Sequence, residues 1–185
     1  VESIDDSGVL NKSKFAFIDE ATHELLSRSQ LDEGDVLFSI AGTIGRVASV
    51  TPRFLPANTN QAVAIVKPNE AKCPSSFIYL TLNEASIKSR LLQNTVGAVQ
   101  ANLSLGAISN LEVVTPPSIV MEKVCSPILN SIFQQKECNG AQIELLSSLR
   151  DELLPRLISG KLRIEDAEEA VSEELGSTAV EEKAA

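Results

Sequence analysis

Eight side chains in predicted loops carry groups that could read or grip a nucleic acid: Arg46, Arg53, Asn58, Thr59, Asn60, Gln61, Gln100 and Asn102. Two further cations, Lys88 and Arg90, fall on a predicted helix and are expected to be exposed there. A guanidinium can bind guanine through two parallel hydrogen bonds or hold a phosphate, and a carboxamide can bind adenine in the same two-pronged way. The same residue types also build ordinary turns, since an Asn or Thr side chain readily bonds its own backbone. From residue types alone, a nucleic-acid surface and a set of plain turns both stay open.

Other chemistries find less support. The single histidine, His23, lies in an acidic segment with no Ser or Cys motif to activate, and reads as a surface or capping residue. The Gly42-Thr43-Ile44-Gly45 loop has too few residues between its glycines for a phosphate-binding P-loop and lacks the following Lys-Ser/Thr, so it reads as a hairpin turn. Asp32, Glu33 and Asp35 lack the alternating spacing and glycine of a calcium loop, and read as a solvated acidic turn. Cys73, Cys125 and Cys138 form an odd set without a C-x-x-C pair, which argues against a disulfide scaffold and a structural zinc. No metal and no cofactor are expected. Without a nucleophile-base pair or a methyl-donor glycine motif, an enzyme in its own right is disfavoured.

Charge has to be read by position. The chain has 185 residues and a formal net charge of -9. Residues 165–185 carry eight acids against Lys183, and residues 1–35 carry nine against Lys12, Lys14 and Arg28. Between the acidic ends, residues 36–115 hold six basic residues against Glu70, Glu84 and Glu112, a local +3. Only this middle, with residues 116–164 at +1, leans towards a polyanion.

The elements that must position these groups follow from pattern. Apolar residues at 43% suffice for a core, built from aliphatic side chains because aromatics are only 4% and Trp is absent. Val36–Ile40 and Arg46–Val50 read as two strands around the Gly42/Gly45 turn, and Gln61–Val66 as a third, ended by Pro68. Phe77, Leu80, Ile87 and Leu91 recur at helical spacing from a Ser75 or Ser76 cap to about Leu92. A single turn is expected near Ser104–Ile108 and a last strand at Leu111–Val114, before Pro116-Pro117. The expected fold class is α+β, with a mixed or antiparallel β core and small helices.

Past the paired prolines the pattern turns helical, with Ser118 as cap. Val120, Val124, Ile128 and Ile132 step by fours, and after a polar middle the stripe resumes at Ile143, Leu146, Leu149, Leu153 and Leu157. Through Arg150 such a helix spans roughly 50 Å at about 1.5 Å per residue, so it calls for a partner. Pro127 and Gly140 are the expected weak points, and Pro155 is expected to start a short terminal helix ended by Gly160. The acidic segment 165–185 has no stripe to bury and is expected to be disordered. No apolar run approaches the roughly 20 residues that span a bilayer, and the first residues lack a secretory signal, so a cytoplasmic location is expected.

Three stretches carry a resemblance to a known family. They are LDEGDVLFS at 31–39 followed by AGTIGR at 41–46; QANLS at 100–104 running to Leu111 and Pro116-Pro117; and ELLPRLISGKLRI at 152–164. In this order and spacing the chain, over about residues 8–164, resembles the specificity subunit of type I restriction-modification systems. The resemblance implies a target recognition domain at 1–116, expected to be short of its first strands, and a long helix with a terminal family-like segment at 117–164. The helix would pair antiparallel with a second helix of its kind through Ile143, Leu146, Leu149, Leu153 and Leu157. The sequence departs from the family at Met121-Glu122-Lys123, where Glu-Gln is usual, and in carrying Pro127 inside the helix.

What the resemblance implies is a non-catalytic DNA-recognition module. Its expected partners are double-stranded DNA at a bipartite site, methyltransferase and restriction subunits, and a second half-subunit or second copy of itself, with no membrane involved. The alternative is a truncated assembly protein of the same type that binds methyltransferase subunits without binding DNA, a reading the acidic ends favour.

Overall fold

The computed structural model describes residues 2–93 and 102–161. Two compact units divide the chain, Val1–Ser131 and Ile132–Ala185. The first is built on a three-stranded antiparallel sheet of order β2-β1-β3, with β1 at Val36–Ser39, β2 at Val47–Ser49 and β3 at Val63–Val66. Helices pack around it, which makes the fold α+β as expected.

Both faces of the central strand are buried, and its four residues show no polar-apolar alternation for that reason. Leu37 lies opposite Ala48 on one side and Ile65 on the other. This row packs with Ile4, Leu10, Val50, Phe54 and Val63 as one cluster. The alternate row pairs Phe38 with Val47 and Ala64, and α2 (Ser75–Asn83) packs against β1 and β2. Phe38 is almost wholly buried, so cutting it to Ala would cost about 3–5 kcal/mol.

A short N-terminal ribbon closes over the sheet. Ile4 bridges Leu10, and Asp5 ties the turn between them by accepting from the Ser7 and Val9 N–H groups. Gly8 in this turn has φ +78, and a Cβ there would lie 2.5 Å from the Val47 carbonyl oxygen and from the Tyr79 hydroxyl. Only glycine lets the ribbon sit this close to β2. Further on, α1 (Glu20–Leu25) is capped by Asp19, whose Oδ1 accepts from Thr22 N at 2.7 Å.

Several expectations need correction. The helix expected over 75–92 is two helices, α2 and α3 (Ala85–Gln93), separated at Glu84, which is extended at ψ 132. Glu84 turns its carboxylate onto Ser86 Oγ and the Ile87 N–H and so starts α3 itself. α2 begins after Pro74 without a serine cap. The turn at 104–108 is α4 (Leu105–Ser109), capped by Ser104 as expected in position. Leu111–Val114 forms no strand: the sequence has the composition, but Val114 is 93% exposed and no β-ladder runs through this stretch.

The long helix begins as α5 (Ser118–Val120), widens through a π-helical stretch at Met121–Cys125 and continues as α6 (Ser126–Ile158). Pro117 rather than Ser118 caps it. Pro127 does not break it. A proline has no N–H to give and its ring crowds the carbonyl four residues back, and the wider turn just before it relieves that crowding. Within this turn both the Ser126 N–H and Oγ donate to the Met121 carbonyl. Gly140 passes without interruption, and Pro155 lies inside the helix rather than starting a new one. Gly160, at φ +69, ends it: its N–H bonds Leu157 O, and the Lys161 N–H bonds Arg156 O.

Candidate nucleic-acid interface

The antiparallel topology brings the C-terminal end of β1 together with the first residues of β2 and β3. At this hairpin end the Ala41–Gly45 loop turns through two left-handed glycines, Gly42 and Gly45. Ser39, fully buried, shapes the loop: its Oγ donates to Thr43 O at 2.6 Å and accepts from Arg46 N at 2.8 Å. Ile40 and Ala41 donate to Ala62 O, which anchors the Asn60-Gln61 turn beside the loop. The Leu103 N–H donates to Ile40 O and brings Asn102 to the same end. Lys88 from α3 lies within 3.8 Å of where a Gly45 Cβ would sit.

Four candidates therefore meet here: Asn60, Gln61, Lys88 and Asn102. Gln61 and Asn102 are exposed, and Asn60 is exposed while its Oδ1 accepts from Ala62 N, a turn-forming bond. Lys88 is half-buried rather than exposed as expected. Its ammonium donates to Asn83 Oδ1 at 2.8 Å, and burial lowers its pKa below the usual lysine value. A cation set in this way gains from any anion that approaches it. Arg90 is exposed on α3.

The other arginines and amides are engaged within the fold. Arg46 starts at the hairpin end, but its guanidinium reaches back to the N-terminal ribbon, donating to Asp6 Oδ1 and to Ile4 O. Arg53 stacks on Phe54, its guanidinium carbon 4.5 Å from the ring centre. Asn58 brackets the α1 region, bonding the His23 ring, Leu26 O and Ser29 Oγ, while the Thr59 N–H donates to Ser29 O. His23, expected as a surface or capping residue, is half-buried and bonded through its ring to Asn58. Gln100 lies outside the described residues.

The opposite end of the sheet is acidic. Asp35 is buried rather than solvated: its Oδ2 accepts from the Asp32 N–H at 2.8 Å and from Lys67 Nζ at 2.9 Å. Lys67 also donates to Asp32 Oδ2 at 2.6 Å, and these two bonds hold its pKa above the usual value. Glu70 accepts from Ser75 N at the start of α2. Among the described residues, no group of acids, histidines and cysteines could hold a metal ion.

In the second unit, α6 leaves Ile143 64% and Leu146 49% exposed, with Leu149, Leu153 and Leu157 half-buried. Lysine and arginine positions draw attention in a sequence, whereas Ser39 and Asp6, which set the loop and occupy Arg46, carry no local motif. Their roles come only from pairings across the fold. No described helix is long and apolar enough to cross a membrane.

An α+β unit with an exposed amide-rich sheet end, joined to a long helix, has the parts of a recognition module. The family model for the type I restriction modification DNA specificity domain matches residues 12–146, and the chain belongs to this family. The resemblance drawn from the three stretches is borne out at that level. The chain is similar to the HindI type I restriction enzyme specificity subunit of Haemophilus influenzae, 29% identical over 138 residues, covering 74% of this chain and 29% of that protein. It is also similar to the MjaIX specificity subunit of Methanocaldococcus jannaschii, 26% identical over 153 residues, covering 81% of this chain and 34% of that protein. The chain spans about a third of the length of these relatives.

Proposed function

We propose that this chain is a non-catalytic DNA-recognition module of a type I restriction-modification complex, and that the hairpin end of its sheet lies against duplex DNA. The observation that carries this reading is the segregation of charge and amides along the sheet. Asn60, Gln61, Lys88 and Asn102 gather beside the Gly42-Thr43 loop, with Arg90 exposed on the same α3 as Lys88, while Asp32, Asp35 and Glu70 occupy the far end. Amide and lysine side chains on loops suit base edges and phosphates. Gln100 joins the proposed set through its place two residues before Asn102.

Chemistry is assigned to methyltransferase and restriction subunits that the module directs to a bipartite site. The half-exposed stripe of Ile143, Leu146, Leu149, Leu153 and Leu157 is proposed to meet the equivalent helix of a second half-subunit, or of a second copy, in antiparallel pairing. Burying side chains of this size is worth roughly 1.5–3 kcal/mol each, before the entropy of association is subtracted.

A second reading, an assembly protein that binds methyltransferase subunits without DNA, is favoured by one observation: Arg46 and Arg53 are both engaged inside the fold. Titrating labelled random duplex DNA with the chain, alone and with a methyltransferase subunit, separates the two. The first reading expects weak, salt-sensitive binding that tightens with the subunit. A methyltransferase complex that forms but leaves DNA affinity unchanged would establish the second. Solution mass across the micromolar range, compared with a Leu146→Lys/Leu153→Lys variant, tests the helix pairing separately.

A further inference from the structure

The hairpin end holds a cation that the fold itself has taken. Arg46 immediately precedes β2 at this end, next to Gly45, yet its side chain is only 23% exposed. Its Nε and Nη2 both approach Asp6 Oδ1, at 2.9 and 2.8 Å, and its Nη1 donates to Ile4 O at 2.8 Å. The acid is held out to solvent: Asp6 is 88% exposed, on a tight ribbon turn. Its neighbour Asp5 has a different task, since the Asp5 carboxylate accepts the N–H groups of Ser7 and Val9 and so shapes the turn. Gly8 then seats the turn against Val47 and Tyr79. Asp5 builds the mount, and Asp6 is what it presents to Arg46.

We propose that Asp6 is an intramolecular stand-in for a DNA phosphate, occupying Arg46 in the unbound chain and yielding it to the nucleic-acid backbone on binding. The inference rests on the DNA-binding reading of the hairpin end. A single carboxylate oxygen taking two guanidinium N–H groups mimics the way a phosphate oxygen is gripped. The pair is open to solvent on the Asp6 side, so exchange costs little, because exposed ion pairs are weak. Asp6 thereby sets DNA affinity: it holds back a cation that would otherwise bind any polyanion.

The test compares the full chain with Asp6→Asn, Asp6→Glu, Arg46→Ala and the Asp6→Asn/Arg46→Ala double variant, each titrated with labelled random duplex DNA over a series of salt concentrations. Thermal melting of each variant checks that the fold is kept. Asp6→Asn should bind about two- to fivefold tighter, the range that loss of an exposed pair allows. Its salt dependence should steepen by up to about one unit in the logarithmic plot, since one more phosphate is neutralised without an acid beside it. Asp6→Glu should resemble the parent. In the Arg46→Ala background the Asp6→Asn gain should vanish, which separates action through Arg46 from a general change of charge. A folded Asp6→Asn that binds no tighter than the parent overturns the proposal, as does a gain that persists without Arg46. If neither the parent nor any variant binds DNA, the DNA-binding reading itself falls.

Discussion

Each end of the three-stranded sheet is closed by one buried polar side chain, and the two side chains differ in chemistry. At the hairpin end Ser39 bridges Thr43 O and Arg46 N with a neutral hydroxyl. At the far end Asp35 bridges the Asp32 N–H and Lys67 with a carboxylate. Both bind backbone groups of the adjoining turn. A carboxylate in the Ser39 position could accept from the Arg46 N–H but could not donate to Thr43 O, and it would add a buried negative charge where Lys88 and the loop amides gather. The difference teaches that the local fold can be closed with either chemistry, and that what distinguishes the ends is the charge each is free to show.

The largest expected effect comes from removing these two bridges. Asp35→Ala deletes charge-assisted bonds and should destabilise the first unit by about 2–3 kcal/mol; Ser39→Ala should cost about 1–2 kcal/mol. Stability and DNA affinity should part company. Asp35→Ala, once folded, should bind DNA like the parent, whereas Ser39→Ala should lose affinity because the Gly42-Thr43 loop is no longer fixed. Urea denaturation with DNA titration below the transition reads both. If Asp35→Ala weakens DNA binding as much as Ser39→Ala, the two ends are not functionally distinct.

Much of this arrangement was legible in the sequence, but not which end was which. The strands around Gly42 and Gly45 and the third strand follow from runs of apolar and β-branched residues between turn signals, which are local signals, and the turn near Ser104 stands where it was expected. The long helix follows from its stripe. Where the outcome depended on a partner distant in the chain, the sequence was silent. Arg46 and Asn58 look like free recognition groups until Asp6 and the His23 region are found against them, 40 and 35 residues away. Leu111–Val114 has strand composition, but a strand requires a neighbour to bond. The break at Glu84 escaped because glutamate is not among the preferred helix caps; only its contacts with Ser86 and Ile87 reveal the role.

A smaller effect is expected from placing a single charge at each end in turn. Thr43→Glu puts a carboxylate on the exposed loop, and should weaken DNA binding by up to about tenfold at low salt, with the difference shrinking as salt rises. Asn69→Glu, exposed beyond β3 near the acidic end, adds the same charge to the chain's total. It should change affinity less than about twofold. Equal losses from both substitutions would mean that DNA responds to net charge alone, and the polarity of the sheet would carry no recognition.

The smallest effect, and the one that reads the comparison without DNA, lies in two lysines. Lys67 at the acidic end has its pKa raised above the usual 10.5, first by its bond to Asp32 and then by that to Asp35. Lys88 at the hairpin end has its pKa lowered below 10.5 by burial. A raised folded pKa gives stability that is complete below 10.5 and is lost as pH climbs through the folded value. A lowered one works the other way: charged Lys88 costs stability below its folded value, and the cost is relieved as pH rises towards 10.5. Lys67 is half exposed, so screening keeps its contribution well under about 1 kcal/mol, and slopes rather than absolute stabilities are the quantity to compare. Urea midpoints measured from about pH 9 to about pH 11.5 should fall less steeply for Lys67→Met than for the parent, and more steeply for Lys88→Met. Two variants with the same slope would show that the lysines share one environment, contrary to the geometry in which only Lys67 faces carboxylates. Opposite changes would show that the fold already keeps negative charge away from Lys88, leaving that cation to be satisfied by whatever anion reaches the hairpin end.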